Sequence, residues 1–226
     1  MTHGFDKEYW ERHWRGSAGG PGTAGGPPPN PYLARELGEL VPGTALDAGC
    51  GAGAEAIWLA SRGWRVTAAD ISSEVLAHAA ERAGAVGAGD RLRWVEADLG
   101  VWHPATPFDL VTTHYAHPAM PQLEFYDRIA GWVVPGGTLL IVGHLQHDRA
   151  TGQHGHGHGH GHGHGHGHGG QHPPAEASVT AAAITARLDE EVWEIVTAEE
   201  GRRTLADGKG GETPLHDVVV RATRRR

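Results

Sequence analysis

Short apolar segments alternate with helix-like segments through the middle of the chain, and this alternation limits the possible folds more than any other feature. Strands are predicted over residues 45–49, 65–70, 92–97, 108–113 and 138–142. Helices are predicted between them, because apolar residues there recur every three or four positions. One such helix carries Leu123, Tyr126, Ala130 and Val133 and is followed by a turn at Pro135-Gly136-Gly137. Strands that alternate with helices in this way predict an α/β fold with a parallel, doubly wound sheet.

The two ends of the chain follow other patterns. A helix is predicted over residues 5–15, within an N-terminal segment 1–15, and a flexible linker over the Gly- and Pro-rich residues 16–30. The rest, 31–226, is predicted to be one domain that begins with a helix over 32–41. Its last part is predicted to contain a helix over 179–188 and strands over 193–197 and 215–222. With turn residues at Asp207-Gly208, these two strands predict an antiparallel hairpin at the sheet edge.

Length, charge and cysteine content argue against several classes of protein. A chain of 226 residues can bury the core of one such domain without disulfides. Its net charge of −8 has the wrong sign for a protein that grips a phosphate backbone, so no nucleic-acid partner is expected. A signal-peptide core and a run of eighteen apolar residues are both missing, so a cytoplasmic protein without a membrane partner is expected. The single cysteine, Cys50, agrees with a reducing compartment.

A glycine-rich loop, Asp47-Ala48-Gly49-Cys50-Gly51-Ala52-Gly53, connects the first strand to its helix. Glycines there let a ligand approach the backbone, and the free N–H groups of the helix point toward that ligand. A loop of this kind is also compatible with a dinucleotide site or with a purely structural turn. Two more carboxylates, Asp70 and Asp98, follow the second and third strands. In an open α/β sheet all three acidic residues would lie at the ligand-binding edge.

These motifs resemble those of the class I S-adenosylmethionine-dependent methyltransferases. Residues 46–53 resemble the first motif of that family, 69–72 its ribose-binding strand end, 96–99 its adenine-side motif and 135–139 its turn into the fifth strand. The resemblance implies a Rossmann-like three-layer sandwich, with a seven-stranded, mostly parallel sheet whose last strand is antiparallel. It also implies S-adenosylmethionine as cofactor. The residues it assigns to cofactor binding are Asp47, Gly49, Cys50, Gly51, Gly53, Asp70, Ile71, Asp98, Leu99 and Thr113.

The segment after the fourth strand is the candidate acceptor site. His114 and His117 could each act as a base or bind an acidic acceptor, and Tyr115 could form a wall of the pocket. The histidines could equally do no more than satisfy hydrogen bonds in the loop. Methyl transfer is an in-line displacement, so a base is needed only where the acceptor must first lose a proton. A small molecule that is methylated on oxygen, sulfur or nitrogen is expected, and Tyr9, Trp10 and Trp14 are candidates for a lid.

A weaker likeness, to tellurite-resistance and thiopurine-type methyltransferases, rests on the compact size and the aromatic N-terminal helix. Within that subgroup the acceptors are soft chalcogen or thiol compounds. A hydroxyl or amine on a small metabolite fits this chain nearly as well.

A histidine–glycine tract interrupts the domain within a predicted disordered insertion at about residues 148–174. Imidazoles on a flexible backbone can bind nickel, zinc or copper, so metal affinity is expected, either adventitious or for storage. A repeating tract does not fix ligands as a catalytic zinc site requires. The alternative function is therefore a histidine-rich metal-binding protein on a methyltransferase-like scaffold. The candidate ligands are His154, His156, His158, His160, His162, His164, His166 and His168.

Overall fold

The computed structural model of the protein describes residues 5–17, 28–146, 177–206 and 212–226. Helix α1 covers Lys7–Ser17 and α2 covers Pro31–Leu37, after which β1 (Thr44–Ala48), α3 (Ala54–Ser61) and β2 (Arg65–Asp70) follow. Next come α4 (Ser73–Ala85), β3 (Leu92–Glu96), β4 (Phe108–His114) and α5 (Gln122–Ala130). The described part of the chain ends with β5 (Val133–Leu145), β6 (Ser178–Val179), α6 (Ala181–Thr185), β7 (Trp193–Ala206) and β8 (Glu212–Arg224).

The strands form one mixed sheet in the order β3-β2-β1-β4-β5-β8-β7, and the two-residue β6 pairs with β5 beside this path. Strands β1 to β5 pair in parallel, whereas β8 runs antiparallel to both of its neighbours, β5 and β7. The predicted α/β class, with a mostly parallel sheet and an antiparallel last strand, is confirmed. The predicted antiparallel hairpin of the last two strands lies at the sheet edge, with β7 outermost. In the described residues, β6 adds an eighth strand to the predicted seven.

Both faces of the sheet are covered, which makes three layers. Leu139 and Ile141 of β5 belong to one apolar cluster, together with Phe125 of α5. Leu140, between them in sequence, belongs to a second cluster on the opposite face, together with Leu59 of α3. Because successive strand residues point to opposite faces, a strand between two helix layers is apolar at every position.

Several element boundaries differ from the sequence prediction. Helix α5 ends at Ala130, and Val133 is the first residue of β5, so its assignment to the helix was wrong. The segment predicted as a turn, Pro135-Gly136-Gly137, lies inside β5 as an irregularity: the register with β4 jumps from Phe108↔Val133 to Leu110↔Thr138. Gly136 permits this by adopting a φ of 82°.

Other helices are shorter than predicted. Helix α2 ends at Leu37, not at Val41. Val179 is part of β6, and α6 begins only after Thr180, whose hydroxyl accepts a hydrogen bond from the Ala183 N–H and caps the helix. The Asp207-Gly208 turn and most of the predicted linker and insertion lie outside the described residues. None of the helices in the described residues is long and apolar enough to cross a membrane.

Candidate active site

A cavity of about 490 Å³ opens at the carboxyl ends of the parallel strands. Its size lies within the range of roughly 300–1,000 Å³ found for small-molecule sites. The glycine loop after β1, the ends of β2 and β3, the loop after β4 and helix α1 all contribute to its wall. This is the sheet edge at which doubly wound folds bind their ligands.

The glycine loop lies against the end of β2. The Gly49 and Cys50 N–H groups donate to the carbonyl of Ala69 at 2.9 and 3.0 Å, and the Gly51 N–H donates to Asp70 at 2.9 Å. Gly49, Gly51 and Gly53 all have positive φ angles, which glycine adopts at no steric cost. These bonds fix the loop so that its backbone lines the cavity. The thiol of Cys50 is buried beside it, and burial raises its pKa.

Asp70 is the acidic residue most closely built into the cavity wall. It is 8% exposed, and its two carboxylate oxygens accept hydrogen bonds from the Gly51 and Ser72 N–H groups at 2.9 and 3.0 Å. Burial raises its pKa, and these backbone bonds oppose that shift. A carboxylate has about four acceptor positions, so Asp70 retains capacity for a ligand. Asp98 is exposed and accepts from the Gly100 N–H at 2.8 Å, and Ile71, Asp98 and Leu99 also line the cavity.

Two predicted cofactor residues lie behind the wall and do not line the cavity. Asp47 is 1% exposed, and its Oδ2 atom has no hydrogen-bond partner in the described part of the chain. Burial, with Glu55 and Asp70 nearby, raises its pKa well above the usual value. Thr113 is also buried and donates its hydroxyl to the Ala48 carbonyl at 2.8 Å. The other predicted residues, Gly49, Cys50, Gly51, Gly53, Asp70, Ile71, Asp98 and Leu99, meet around the cavity.

The three residues predicted for the acceptor all line the same cavity, beyond the glycine loop. Both ring nitrogens of His114 are buried without a hydrogen-bond partner among the described residues. The Nδ1 atom of His117 lies 3.3 Å from Gln122 Oε1, so part of its hydrogen bonding is local, as the alternative interpretation expected. Burial lowers the pKa of both imidazoles, which are therefore neutral at pH 7.

The ring of Tyr115 lines the cavity, whereas its hydroxyl is hydrogen-bonded to Asp217 and Arg203. The hydroxyl donates to Asp217 Oδ1 at 2.7 Å and accepts from Arg203 Nη2 at 2.9 Å. Arg203 Nε also donates to Asp217 Oδ2 at 2.6 Å, and Tyr32 donates to the same oxygen at 3.2 Å. Tyr115 has a φ of 54°, a conformation rare for a residue with a bulky side chain. We name Tyr32, Tyr115, Arg203 and Asp217 the tyrosine anchor.

Sequence reasoning missed three residues of this region. His144, near the end of β5, packs its ring 4.7 Å from that of Tyr115 and 5.2 Å from that of His117. It pairs with Asp217 across the β5–β8 ladder. Asp217 carried a signal, since it is a lone acidic residue beside the apolar run 218–220, whereas nothing in the sequence distinguishes Arg203. His144 lies shortly before the histidine tract in the sequence, so its position gives no signal that it belongs to the acceptor end.

Helix α1 covers the open side of the cavity. Phe5, Tyr9, Trp10, His13 and Trp14 all line it. Trp10 donates its indole N–H to the His117 carbonyl at 3.2 Å, and an ion pair between Lys7 and Glu96 joins the helix to the end of β3. The three aromatic residues predicted for a lid, Tyr9, Trp10 and Trp14, therefore all line the cavity.

Acid is expected to destabilise the fold through His144. Burial, together with His117 and Arg203, lowers its pKa to about 4, and Asp217 opposes this shift. In the unfolded chain a histidine titrates at about 6.5. As the pH falls from 6.5 to 4, the unfolded state takes up a proton that the folded state excludes, so the free energy of unfolding decreases. Urea denaturation at several pH values should show a smaller decrease for His144→Leu than for the unchanged protein.

The comparison with His144→Leu also separates the contribution of His144 to the pH dependence of unfolding from the contributions of nearby carboxyl groups. Burial raises the pKa of Asp47 and Asp70, so these groups take up protons in the folded state first and act in the opposite direction. Both are present in the variant, and their contribution cancels in the difference. Equal pH dependence of the two proteins would show that His144 does not titrate as its burial implies.

A metal site is not found in residues 5–17, 28–146, 177–206 and 212–226, where no group of three or more histidine, cysteine or acidic side chains could hold an ion. The eight histidines of the tract, His154 to His168, lie outside those ranges.

Comparison with known proteins identifies the domain that carries this site. Residues 45–137 match a family model described as a methyltransferase domain. Over 104 residues the chain is 38% identical to trans-aconitate 2-methyltransferase from Streptomyces avermitilis. The aligned stretch covers 43% of this chain and 38% of that protein. It is 28% identical over 134 residues to probable thiol methyltransferase 2 from Arabidopsis thaliana, covering 58% of this chain and 59% of that protein. The chain thus spans between 38% and 59% of the length of these two relatives.

Solved structures show the same fold over a longer stretch. One, from work on "Conversion of a Disulfide Bond into a Thioacetal Group during Echinomycin Biosynthesis", has a TM-score of 0.67 at 21% identity and covers 97% of this chain and 91% of its own. TehB from Haemophilus influenzae has a TM-score of 0.65 at 15% identity, over 87% of this chain and 62% of its own. The fold is Rossmann-like, as in these solved structures. Within it, the stretch that carries the glycine loop, Asp70 and Asp98 resembles a methyltransferase domain.

Proposed function

We propose that the chain binds S-adenosylmethionine in this cavity and transfers its methyl group to a small-molecule acceptor. The observation that carries the proposal is that one cavity joins the glycine loop and Asp70 at one end to His114, Tyr115 and His117 at the other. A cofactor at the first end and an acceptor at the second would meet without crossing a protein wall. The net charge of −8 supports a small acceptor in preference to a nucleic acid.

The residues of the first end fit this cofactor. A Cβ on Gly51 would lie 3.0 Å from the Trp14 ring, so a side chain at this position would crowd the space between the loop and helix α1. The spare acceptor positions of Asp70 suit the two hydroxyls of a ribose. Asp47 lies beneath the loop and does not line the cavity, so it would support the loop around the methionine part without contacting it directly. Ile71 and Leu99 offer apolar contact for adenine, and Asp98 offers an acceptor for its amino group.

The cofactor supplies an electrophilic methyl carbon on a positively charged sulfur. The chain's own contribution is to exclude water and to hold the acceptor in line with that carbon, which accounts for most of the rate in such a displacement. Helix α1 closes the cavity, and the ring of Tyr115 forms a wall that faces the positive charge. Neutral His114 and His117 add no positive charge beside the sulfonium.

Binding of S-adenosylmethionine and S-adenosylhomocysteine, measured by calorimetric titration, tests the proposal. We expect both to bind and NADH not to bind, since the loop would have no pyrophosphate to hold. Asp70→Ala removes hydrogen bonds to a charged group, each worth about 1.5–3 kcal/mol, and should weaken S-adenosylhomocysteine binding by about tenfold to more than 100-fold.

Asp109→Ala is the matched control for Asp70→Ala. Asp109 also accepts a backbone hydrogen bond, from the Thr44 N–H at 2.8 Å. It lies near the amino-terminal ends of β1 and β4, whereas the cavity lies at the carboxyl ends of the parallel strands. The control should leave S-adenosylhomocysteine affinity unchanged within twofold. Binding of NADH alone would favour the dinucleotide alternative, and no binding of either cofactor would refute the proposal. Nothing in the described residues supports the metal-binding alternative.

A further inference from the structure

Among the described residues that line the acceptor end, His114 has two buried ring nitrogens without a hydrogen-bond partner. We infer that this end of the cavity takes an uncharged acceptor that carries a hydroxyl or thiol group, and that this group donates its hydrogen to His114. The inference rests on the proposed methyltransferase function and narrows it to one class of acceptor.

The first argument is hydrogen bonding. Both ring nitrogens of His114 are buried, neither has a partner in the described part of the chain, and the residue lines the cavity. Buried polar groups in folded proteins are nearly always hydrogen-bonded, so the partner is expected to be a ligand or water in the cavity. A neutral imidazole has one donor and one acceptor nitrogen. A hydroxyl or thiol can serve either nitrogen, whereas a carboxylate can only accept and an ammonium can only donate.

The second argument is charge. Glu55 lines the cavity together with Asp70 and Asp98, so the ionisable acids in its wall disfavour an anionic acceptor. His117 and His144, which also line it, are neutral because burial lowers the pKa of each. The guanidinium of Arg203 lies behind Tyr115 and forms an ion pair with the fully buried Asp217. Its charge is compensated within the tyrosine anchor and is not directed to a carboxylate ligand.

The reaction balances with these groups alone. The acceptor's oxygen or sulfur forms a bond to the methyl carbon, and the bond from that carbon to the sulfonium sulfur breaks with its electron pair going to the sulfur. The acceptor's proton passes to the acceptor nitrogen of His114 and from there to solvent. A carboxylate acceptor would need no base and would leave His114 without a role.

Three probes of similar shape distinguish the acceptor classes: 4-methylphenol, phenylmethanethiol and benzoate, each incubated with methyl-labelled S-adenosylmethionine. We expect label in the phenol ether or the thioether and none in the benzoate ester. His114→Phe should lower turnover by about 100-fold, the lower end of what a general base contributes. S-adenosylhomocysteine affinity should change by less than twofold.

Two further variants keep the test decisive. His114→Gln retains a donor and an acceptor but is not a base, so it should keep the KM of the acceptor while turnover falls; it also covers the case in which His114→Phe does not fold. His78→Phe replaces an exposed histidine on α4 and should match the unchanged protein.

Transfer to benzoate, transfer to none of the three probes, or full turnover in both His114 variants would overturn the inference. If S-adenosylhomocysteine still bound in those cases, only the acceptor class would be wrong. Failure of S-adenosylhomocysteine to bind would instead refute the proposed function.

Discussion

Replacing Gly49 by alanine is expected to damage both the fold and cofactor binding. The new Cβ would lie 2.3 Å from the Cβ of Ala116, and φ at this position is +80°. The left-handed conformation costs about 1–2 kcal/mol for a non-glycine residue, and overpacking adds about 1–3 kcal/mol. We expect the free energy of unfolding to fall by about 2–5 kcal/mol. A displacement of the loop by about 1 Å can cost 100-fold in a positioned site, and S-adenosylhomocysteine affinity should fall by about that factor.

Two variants separate the contributions of backbone and packing at Gly49. Gly87 has a similar φ of +71° but nothing within 4 Å of an added Cβ, so Gly87→Ala should cost only the conformational part. Ala116→Gly removes the atom with which the new Cβ would collide. Combined with Gly49→Ala, it should restore the packing part of the free energy of unfolding and much of the affinity. Urea denaturation and calorimetry measure both quantities; equal effects of Gly49→Ala and Gly87→Ala would show that the contact with Ala116 is unimportant.

The central part of the fold could be predicted because each element carries a local signal. Strand β2 has the predicted bounds, Arg65–Asp70, and the helix after it is capped by Ser72, whose hydroxyl accepts from the Val75 N–H at 3.4 Å. Acidic residues at strand ends could be placed together because parallel strands finish at one edge of the sheet. The glycine loop and Asp70 follow directly from these two rules.

What the sequence did not predict depends on contacts between distant residues. The tyrosine anchor joins Tyr32, Tyr115, Arg203 and Asp217, and the hydrogen bond between Tyr115 and Asp217 spans 102 positions. The register of β8 between β5 and β7 brings them together, and no periodicity within one segment encodes that register. For the same reason His144 could not be assigned to the acceptor end: its neighbours there come from the loop after β4.

Removing Asp217 is expected to be among the most destabilising single changes in the described part of the chain. Asp217 is fully buried and accepts hydrogen bonds from Tyr32, Tyr115 and Arg203. In Asp217→Ala the partly buried guanidinium of Arg203 would lose its counter-ion and two tyrosine hydroxyls would lose an acceptor. Breaking a buried pair in this way costs about 3–5 kcal/mol. Urea denaturation should show that loss, whereas Glu199→Ala, which breaks an exposed pair with Arg35, should cost about 0–1 kcal/mol.

A double replacement separates the stability of the tyrosine anchor from its role in positioning Tyr115. Asp217→Leu with Arg203→Met removes both charges, and such apolar replacement of a buried pair is often close to neutral in stability. The double variant should therefore unfold at a higher urea concentration than Asp217→Ala. Tyr115, with its φ of 54°, would keep only the longer hydrogen bond from Asn30 and would lack Asp217 and Arg203, so the KM of the acceptor should rise while S-adenosylhomocysteine affinity is retained. If the double variant regained stability and also kept the KM of the unchanged protein, the anchor would serve folding alone.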